Sequence, residues 1–227
     1  MKITILAILC LTAFSALAYN PIIAEPDEVY SPIVIEGDPY VQREYLGSLD
    51  TFPDMYELTT TVNMTLKLQL GQRDAKSAVP FGLIMVRQNE GDGGVAEVVR
   101  VNEELSKWQS HRSSVLGVSL LQGSVIETEL EPGTYRIEVS TPDNQGNYML
   151  VVGEEIESVG FFEALGHIYV TQQHFGYTPF RMLFSSYVYY PIGILVVLYG
   201  IYATWQYRKG ETPWLVRSLK RSLPSRS

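Results

Sequence analysis

The sequence predicts a mainly β protein: an antiparallel jelly-roll sandwich, followed by a juxtamembrane amphipathic helix and one transmembrane helix. Two observations predict this order. Short segments such as residues 66–70 and 135–139 alternate apolar and polar side chains, a period that is typical of half-buried strands. Residues 187–207 contain no charged side chain, and a helix of that length rises about 30 Å, enough to cross a bilayer core.

The N-terminal residues 1–18 have the pattern of a cleavable secretory signal. Lys2 precedes an apolar run that ends in Ala16-Leu17-Ala18, a small-x-small exit. Residues 19–39 are rich in proline and acidic side chains, which indicates an extended leader that feeds a first strand near residues 33–35. The single cysteine, Cys10, lies in the signal, so we expect no disulfide and no thiol chemistry in the mature protein.

Residues 40–154 are predicted to form the sandwich from eight or nine short strands. The stretch 81–86 is apolar throughout, which favours a central strand, and the glycine-rich residues 90–94 predict a hairpin loop after it. Glu131-Pro132-Gly133 predicts a tight turn. A short helical turn is expected near residues 102–109. Close spacing of many strands is typical of a sandwich or jelly roll.

Two strand motifs carry a resemblance to a known family. Residues 130–139 (LEPGTYRIEV) and 146–150 (GNYML) resemble the end of bacterial pre-peptidase C-terminal (PPC-type) jelly-roll domains. In those domains a Leu-x-x-Gly-Thr-Tyr strand is followed by a Gly-x-Tyr-x-Leu strand. Residues 45–49 and 54–58 are similar to the family's opening strands. The resemblance covers residues 40–154, about half of the chain, and implies the fold and an accessory or binding role. The chain departs from the usual family context, with a membrane anchor and no peptidase domain.

Residues 155–186 are predicted to be a juxtamembrane amphipathic segment. Apolar side chains recur there at helical spacing, which indicates a helix lying near the membrane surface. The predicted apolar face consists of Phe161, Phe162, Leu165, Ile168 and Tyr169.

The transmembrane helix is predicted over residues 187–207, and the basic residues 208–227 form a cytoplasmic tail. Basic residues just beyond a span mark its cytoplasmic side, so we expect an extracytoplasmic N-terminal domain at the plasma or inner membrane. Aromatic and basic side chains at the two ends would contact the lipid interface. These membrane-interface residues are Tyr187, Tyr189, Tyr190, Trp205, Tyr207, Arg208 and Lys209.

The charge of the chain excludes one class of partner. Residues 19–207 carry 24 acidic and 10 basic side chains, a net charge of −14. A domain of this charge repels phosphate groups, so nucleic acid is not expected as a partner. Membrane lipid and another envelope protein are the partners we expect.

The sequence offers no candidate catalytic residue and no cofactor motif. Its three histidines are His111, His167 and His174, and it contains neither a G-x-S-x-G elbow, a P-loop nor a dinucleotide glycine motif. His167 and His174 could share a helix face, but no acidic residue joins them at a spacing suited to a metal. The sequence therefore predicts a protein that is not an enzyme.

Loop oxygens offer the one metal alternative, a calcium site. Asp92 with Glu90, or Asp143 with Asn144 and Asn147, present carboxylate and amide oxygens from loops, the ligands that calcium prefers. The loops lack EF-hand spacing, and Asp and Asn are ordinary turn residues, so the favoured interpretation is structural turns with no metal.

Aromatic residues offer a sugar-stacking face as another alternative. Alternation places Tyr135 with Ile137 and Val139 in the core, so core packing is the favoured interpretation. The candidate residues are Tyr30, Tyr40, Tyr45, Tyr56, Trp108 and Tyr135.

These observations favour a single-pass membrane protein that presents a non-catalytic extracytoplasmic β-sandwich for binding or scaffolding. The first alternative is an accessory subunit of a membrane-bound enzyme or transporter. A weaker alternative is a lectin-like module that depends on calcium or glycan.

Overall fold

The computed structural model describes residues 20–89 and 93–210, together with the backbone of residues 16–17. Most of the predicted signal, the loop residues Glu90 and Asp92, and the tail from residue 211 lie outside the described residues. Strand β1 belongs to the predicted signal.

The described residues form fourteen strands, two α-helices and two 3-10 helices. The 3-10 helices are Leu105–Lys107 and Pro179–Phe184, the first within the predicted helical turn. The α-helices are α1 (Phe161–His174) and α2 (Ser186–Arg208). The strands are β1 (Ala16–Leu17), β2 (Pro21–Ala24), β3 (Ile33–Val34), β4 (Arg43–Asp50), β5 (Asp54–Thr60), β6 (Met64–Arg73), β7 (Gly82–Gln88), β8 (Val95–Asn102), β9 (Gln109–Ser113), β10 (Val118–Gln122), β11 (Ile126–Leu130), β12 (Gly133–Ser140), β13 (Gln145–Val152) and β14 (Ser158–Val159).

The strand order confirms the jelly roll. The eight principal strands in chain order are β4, β5, β6, β7, β8, β11, β12 and β13. In one sheet β4 pairs with β13, β13 with β6 and β6 with β11; in the other β5 pairs with β12, β12 with β7 and β7 with β8. The order is thus first, eighth, third, sixth in one sheet and second, seventh, fourth, fifth in the other, the alternation of a double Greek key.

Two features extend this framework. The β9–β10 hairpin and the leader strand β2 widen the first sheet to seven strands. β10 pairs with the second half of β6, where β11 has ended. The leader adds one strand to each sheet. β2 pairs in parallel with β4 in the first sheet, and β3 pairs in parallel with β5 in the second. The sheets are therefore mixed, whereas the sequence predicted antiparallel pairing throughout. Tight hairpins join antiparallel neighbours, whereas β2 and β4, like β3 and β5, are joined by longer connections that allow parallel pairing.

The core between the sheets is rich in tyrosine. The Tyr148 hydroxyl donates to Asp54 Oδ2 at 2.7 Å, and it accepts from the Tyr56 hydroxyl at 2.7 Å. Burial raises the pKa of Asp54 and of both tyrosines. The Tyr148 ring lies directly over Gly47 on the neighbouring strand, where a Cβ would overlap it. Tyr135, predicted to point inward, is buried and donates to Glu131 O.

Helix α1 is present where the sequence predicted an amphipathic helix, and only part of its predicted apolar face packs on the sandwich. It packs on the outer face of the seven-stranded sheet, where Ile168 contacts the cluster that contains Leu46 and Met149. Ile168 belongs to the predicted face, whereas Phe162 is 85% exposed and Tyr169 is exposed. The helix buries a single stripe at positions i, i+4, i+7 and i+8. This stripe includes two polar residues that the apolar pattern could not reveal: Ala164, Ile168, Thr171 and Gln172.

Helix α2 is long and apolar enough to span a membrane. It contains 23 residues, within which an 18-residue stretch has a mean hydropathy of 1.5 and is not buried against the rest of the described chain. Among the predicted interface residues, Tyr189, Tyr190, Trp205 and Tyr207 are exposed. Tyr187 instead stacks on Phe161 of α1, with ring centroids 6.0 Å apart.

Candidate functional site

A large concavity lies on the outer face of the seven-stranded sheet. α1 covers one half of this face and leaves the other half open, so a groove of about 500 Å³ remains beside the helix. Its lining is mostly polar and contains no aromatic side chain. The polar side chains that line it are Gln42, Glu44, Lys67, Gln69, His111, Ser113, Gln122, Glu127 and Glu154. A second cavity of about 350 Å³ shares Gln69, His111 and Gln122 with it, so the groove continues along the β9–β10 hairpin.

Glu44 is the buried charge of the groove. Its outward position on β4 comes from strand alternation, and only 1% of the residue is exposed. Its carboxylate accepts from Gln42 Nε2 at 2.6 Å and from the backbone N–H of Asn20 at 3.0 Å. Burial raises the pKa of Glu44, while the two hydrogen bonds and the nearby His167 of α1 oppose that rise. Glu44 thus ties the leader, β4 and α1 together at the edge of the groove.

The charged side chains of the groove are net negative, since one lysine faces three glutamates. Lys67 pairs with Glu127 at 3.3 Å and also with Glu154. Gln69 donates to Gly123 O at 3.0 Å, and its amide and that of Gln122 offer both donors and acceptors. Because Lys67 already pairs with two carboxylates, the lining disfavours an anionic ligand and suits one with neutral hydrogen-bonding groups.

The groove does not assemble catalytic machinery from its histidine and serine. His111 and Ser113 lie two residues apart on β9, and residues at that spacing on one strand face are about 6.6 Å apart. Ser113 Oγ accepts from the backbone N–H of Leu116 at 3.1 Å. Among the described residues, no hydrogen bond joins His111 to Ser113 or to Glu44.

The junction between the sandwich and α2 is held by the turn of the β9–β10 hairpin. Ser185 Oγ donates to Val115 O at 2.6 Å, and the backbone N–H of Ser186 donates to Ser114 O at 2.8 Å. Gly117 has a φ of +67°, and a Cβ there would lie 2.6 Å from the carbonyl carbon of Phe184. A glycine is required both by this backbone conformation and by the close approach.

Further contacts fix the segment that leads into the junction. Gln172 Nε2 donates to Leu116 O at 2.6 Å, and the Tyr177 hydroxyl donates to Ser119 O at 2.9 Å. The Arg73 guanidinium stacks on the Tyr177 ring at 4.5 Å and donates to Phe175 O at 3.2 Å. The chain therefore enters α2 from a segment that is bonded to the sandwich at several points.

The calcium candidates within the described residues serve separate structural roles. The exposed Asp143 accepts from Thr141 Oγ1 at 3.1 Å within its own turn. Asn147 accepts from Ser48 Oγ at 2.9 Å and donates to His174 O, which links β13 to the end of α1. Asp92 lies outside the described residues. The described part of the chain contains no group of three or more His, Cys, Asp or Glu side chains placed to hold a metal.

The three histidines also lie apart. His111 lines the groove, and His167 lies near Glu44. His174 contacts Tyr148 O at 3.1 Å, and burial lowers the pKa of its imidazole. His167 and His174 are two helical turns apart, about 10.5 Å along the axis, too far to share one ion.

Most of the sugar-stacking candidates are core residues, as the sequence favoured. Tyr45, Tyr56, Trp108 and Tyr135 are buried. Tyr30 and Tyr40 are exposed. The Tyr30 ring packs edge-on against Phe52, with ring centroids 5.2 Å apart.

Sequence reasoning did not identify the groove or the junction. Glu44, Gln69 and Gln122 come from three strands, and only their shared outward register could have grouped them. Gly117 carried a signal, since a glycine just before the apolar start of a strand can mark a turn with positive φ.

No protein-family model and no curated protein matches the chain. Solved structures with similarity include the Yersinia pseudotuberculosis-derived mitogen, with 14% identity, a TM-score of 0.35, and coverage of 50% of this chain and 86% of that one. The pre-peptidase C-terminal domain of collagenase from Bacillus anthracis has 11% identity and a TM-score of 0.30, with coverage of 61% and 95%. The CBM35 domain of Cellvibrio japonicus Abf62 has 14% identity and a TM-score of 0.25, with coverage of 65% and 94%. The structural neighbours thus include a domain of the family that the sequence motifs resemble.

Proposed function

We propose that this chain is a single-pass membrane protein that presents a non-catalytic β-sandwich binding module on the extracytoplasmic side of the cell membrane. The observation that supports it best is the apolar stretch of α2, which is not buried against the rest of the described chain. Exposing such a surface to water is costly, and a bilayer would cover it. The secretory pattern of residues 1–18 and the basic residues after α2 support the orientation.

The groove is the part of the module that would receive a ligand. It opens on the sheet face that also carries α1, and its amide side chains favour a ligand with neutral hydroxyl or amide groups. The absence of aromatic side chains from its lining disfavours stacking on sugar rings. Binding rather than catalysis fits the separated His111 and Ser113.

Membrane anchoring is tested by charging the middle of α2 in the full chain. Leu195→Arg with Val197→Arg places two cations at the centre, each costing about 2.5–3.5 kcal/mol on insertion. We expect the unchanged chain and the matched variant Leu195→Ala with Val197→Ala to stay with membranes during alkaline extraction. The double arginine variant should be released or degraded. Retention of the arginine variant on membranes would contradict anchoring by α2.

The groove is tested by site-specific photo-crosslinking in membranes. A photoreactive residue at Gln122 samples the groove, and one at Thr59, on the exposed face of the other sheet, is the control. We expect one stoichiometric adduct from position 122 that Gln69→Glu removes, and no adduct from position 59. Equal adducts from both positions would contradict a groove-specific ligand.

A further inference from the structure

A group of apolar side chains at the junction is exposed although its backbone is fixed. Phe180 is 79% exposed, and Leu183 and Phe184 are 55% and 53% exposed, all in the 3-10 helix Pro179–Phe184. Phe162 of α1 is 85% exposed and contacts Phe161, whose ring stacks on Tyr187 at the start of α2. We name these four exposed residues the collar: Phe162, Phe180, Leu183 and Phe184.

The collar is not a loose loop that could fold back on the sandwich. Met182, between its members, packs into the outer-face cluster. Ser185 and Ser186 bond to the β9–β10 turn at 2.6 and 2.8 Å. The direction in which the collar points is therefore set by the same contacts that set the start of α2.

The length of α2 leaves little room between the collar and a bilayer. A helix of 23 residues is about 34 Å long, against a hydrocarbon core of about 30 Å. If Arg208 and Lys209 lie at one interface, Ser186 lies within about 4 Å of the other edge of the core. Phe184 is two residues earlier, a distance of at most about 7 Å even in extended chain.

The charge of this region also suits a lipid surface. No Asp or Glu occurs between residues 164 and 210, although the preceding domain is strongly acidic. Arg181 is exposed and lies over the rings of Tyr177 and Phe184, at 5.8 and 5.7 Å. A basic side chain beside exposed aromatic rings is the composition of interfacial segments that contact anionic lipids.

We infer that the collar inserts into the headgroup and upper acyl region of the bilayer that α2 crosses, so that the sandwich sits directly on the membrane in one fixed orientation. This inference rests on the proposed anchoring by α2. The lipid covers the exposed side chains of the collar. The hydrogen bonds from Ser185 and Ser186 to the β9–β10 turn hold the sandwich in a fixed orientation relative to the collar.

Single-cysteine labelling tests the inference in the full chain. Cys10 is the only cysteine, so Cys10→Ser gives a background for an environment-sensitive fluorophore at Phe180→Cys, Phe184→Cys, Leu195→Cys or Val62→Cys. Val62 is 56% exposed, which matches Leu183, and it precedes β6 at the end opposite Arg73 and the junction. Bilayer discs of zwitterionic and anionic phospholipid would carry a nitroxide quencher either near the headgroup or deep in the acyl chain. Circular dichroism confirms that each variant is folded.

We expect the fluorophore at positions 180 and 184 to be quenched several-fold more by the shallow nitroxide than by the deep one. Position 195 should show the reverse order, and position 62 should be quenched by neither. If position 195 is quenched by the deep nitroxide while positions 180 and 184 behave like position 62, the collar does not enter lipid and the inference is overturned. If position 195 is not quenched, the membrane anchoring itself fails, and the collar inference fails with it.

Discussion

At the scale of single residues, the Tyr148 ring on β13 packs directly over Gly47, its paired residue on β4. The Tyr148 ring is fully buried, and its hydroxyl reaches both Tyr56 and Asp54. Because a Cβ on residue 47 would overlap the ring, a glycine there is a packing requirement of the core.

We expect Gly47→Ala to destabilise the protein by about 1–3 kcal/mol, the usual cost of overpacking a dense core. Chemical denaturation of the full chain in detergent measures this. Gly166→Ala is the control, because a Cβ on that helical glycine meets nothing within 4 Å, and it should stabilise by about 0.5–1 kcal/mol. Equal effects of the two substitutions would contradict the described packing.

The buried Asp54 predicts a pH dependence of stability. Burial raises the pKa of Asp54, and the hydrogen bond from Tyr148 opposes the rise in part. The folded state then holds the proton more tightly than the unfolded state does. The stability that this proton contributes is complete below the unfolded pKa, about 3.9, and is lost as the pH rises through the raised folded pKa.

Asp54→Asn removes this loss and keeps an oxygen that accepts from Tyr148. Relative to the unchanged chain, the free energy of unfolding of the variant should therefore increase as the pH rises from about 4 toward neutrality. Glu44, whose pKa is also raised, is present in both proteins and cancels. The exposed Asp27→Asn serves as the control and should show no such trend. If the difference in the free energy of unfolding between Asp54→Asn and the unchanged chain does not vary with pH, the pKa of Asp54 is not raised in the folded protein.

At this scale the sequence predicted the core residues well. Alternation placed Tyr135 inward with Ile137 and Val139, because each strand has one buried face. It could not predict the hydrogen bonds between Asp54, Tyr56 and Tyr148, since these residues meet only through the order of strands in two facing sheets.

At the scale of elements, the β9–β10 hairpin has two roles. His111 and Ser113 on β9 line the groove, while the turn between the strands holds the start of α2. The predicted hairpins and helices occur, and α1 buries a stripe on the sandwich that the sequence did not predict. Its stripe includes Thr171 and Gln172, which are buried for their hydrogen bonds to His167 O and Leu116 O rather than for hydrophobicity.

Gly117→Ala tests the junction contact. The added Cβ would lie 2.6 Å from the backbone of Phe184 and would strain a positive φ. We expect hydrogen exchange to accelerate at the amides of Ser185 and Ser186 and at the β9–β10 turn. Exchange at the central strands β7 and β12 should be unchanged. Uniform acceleration across the sandwich would mean that the turn supports the whole fold rather than the junction.

At the scale of the whole molecule, the sequence predicted the jelly roll and the apolar helix because both depend on local periodicity and composition. The arrangement of the two could not be predicted, since the β9–β10 turn and residues 182–187 are about 70 residues apart, as for Ser185 and Val115. The fixed junction supports the proposal that the sandwich sits on the membrane rather than on a flexible tether.

The central claim, that the sandwich is displayed outside the cytoplasm on α2, is tested most directly by labelling with a membrane-impermeant maleimide. In the Cys10→Ser background, Val62→Cys reports the sandwich, and a cysteine added after Ser227 reports the tail. In intact cells, or in spheroplasts where an outer membrane is present, we expect Val62→Cys to be labelled at once. The C-terminal cysteine should be labelled only after the membrane is permeabilised. Labelling of the C-terminal cysteine in intact cells, with Val62→Cys protected, would contradict the orientation.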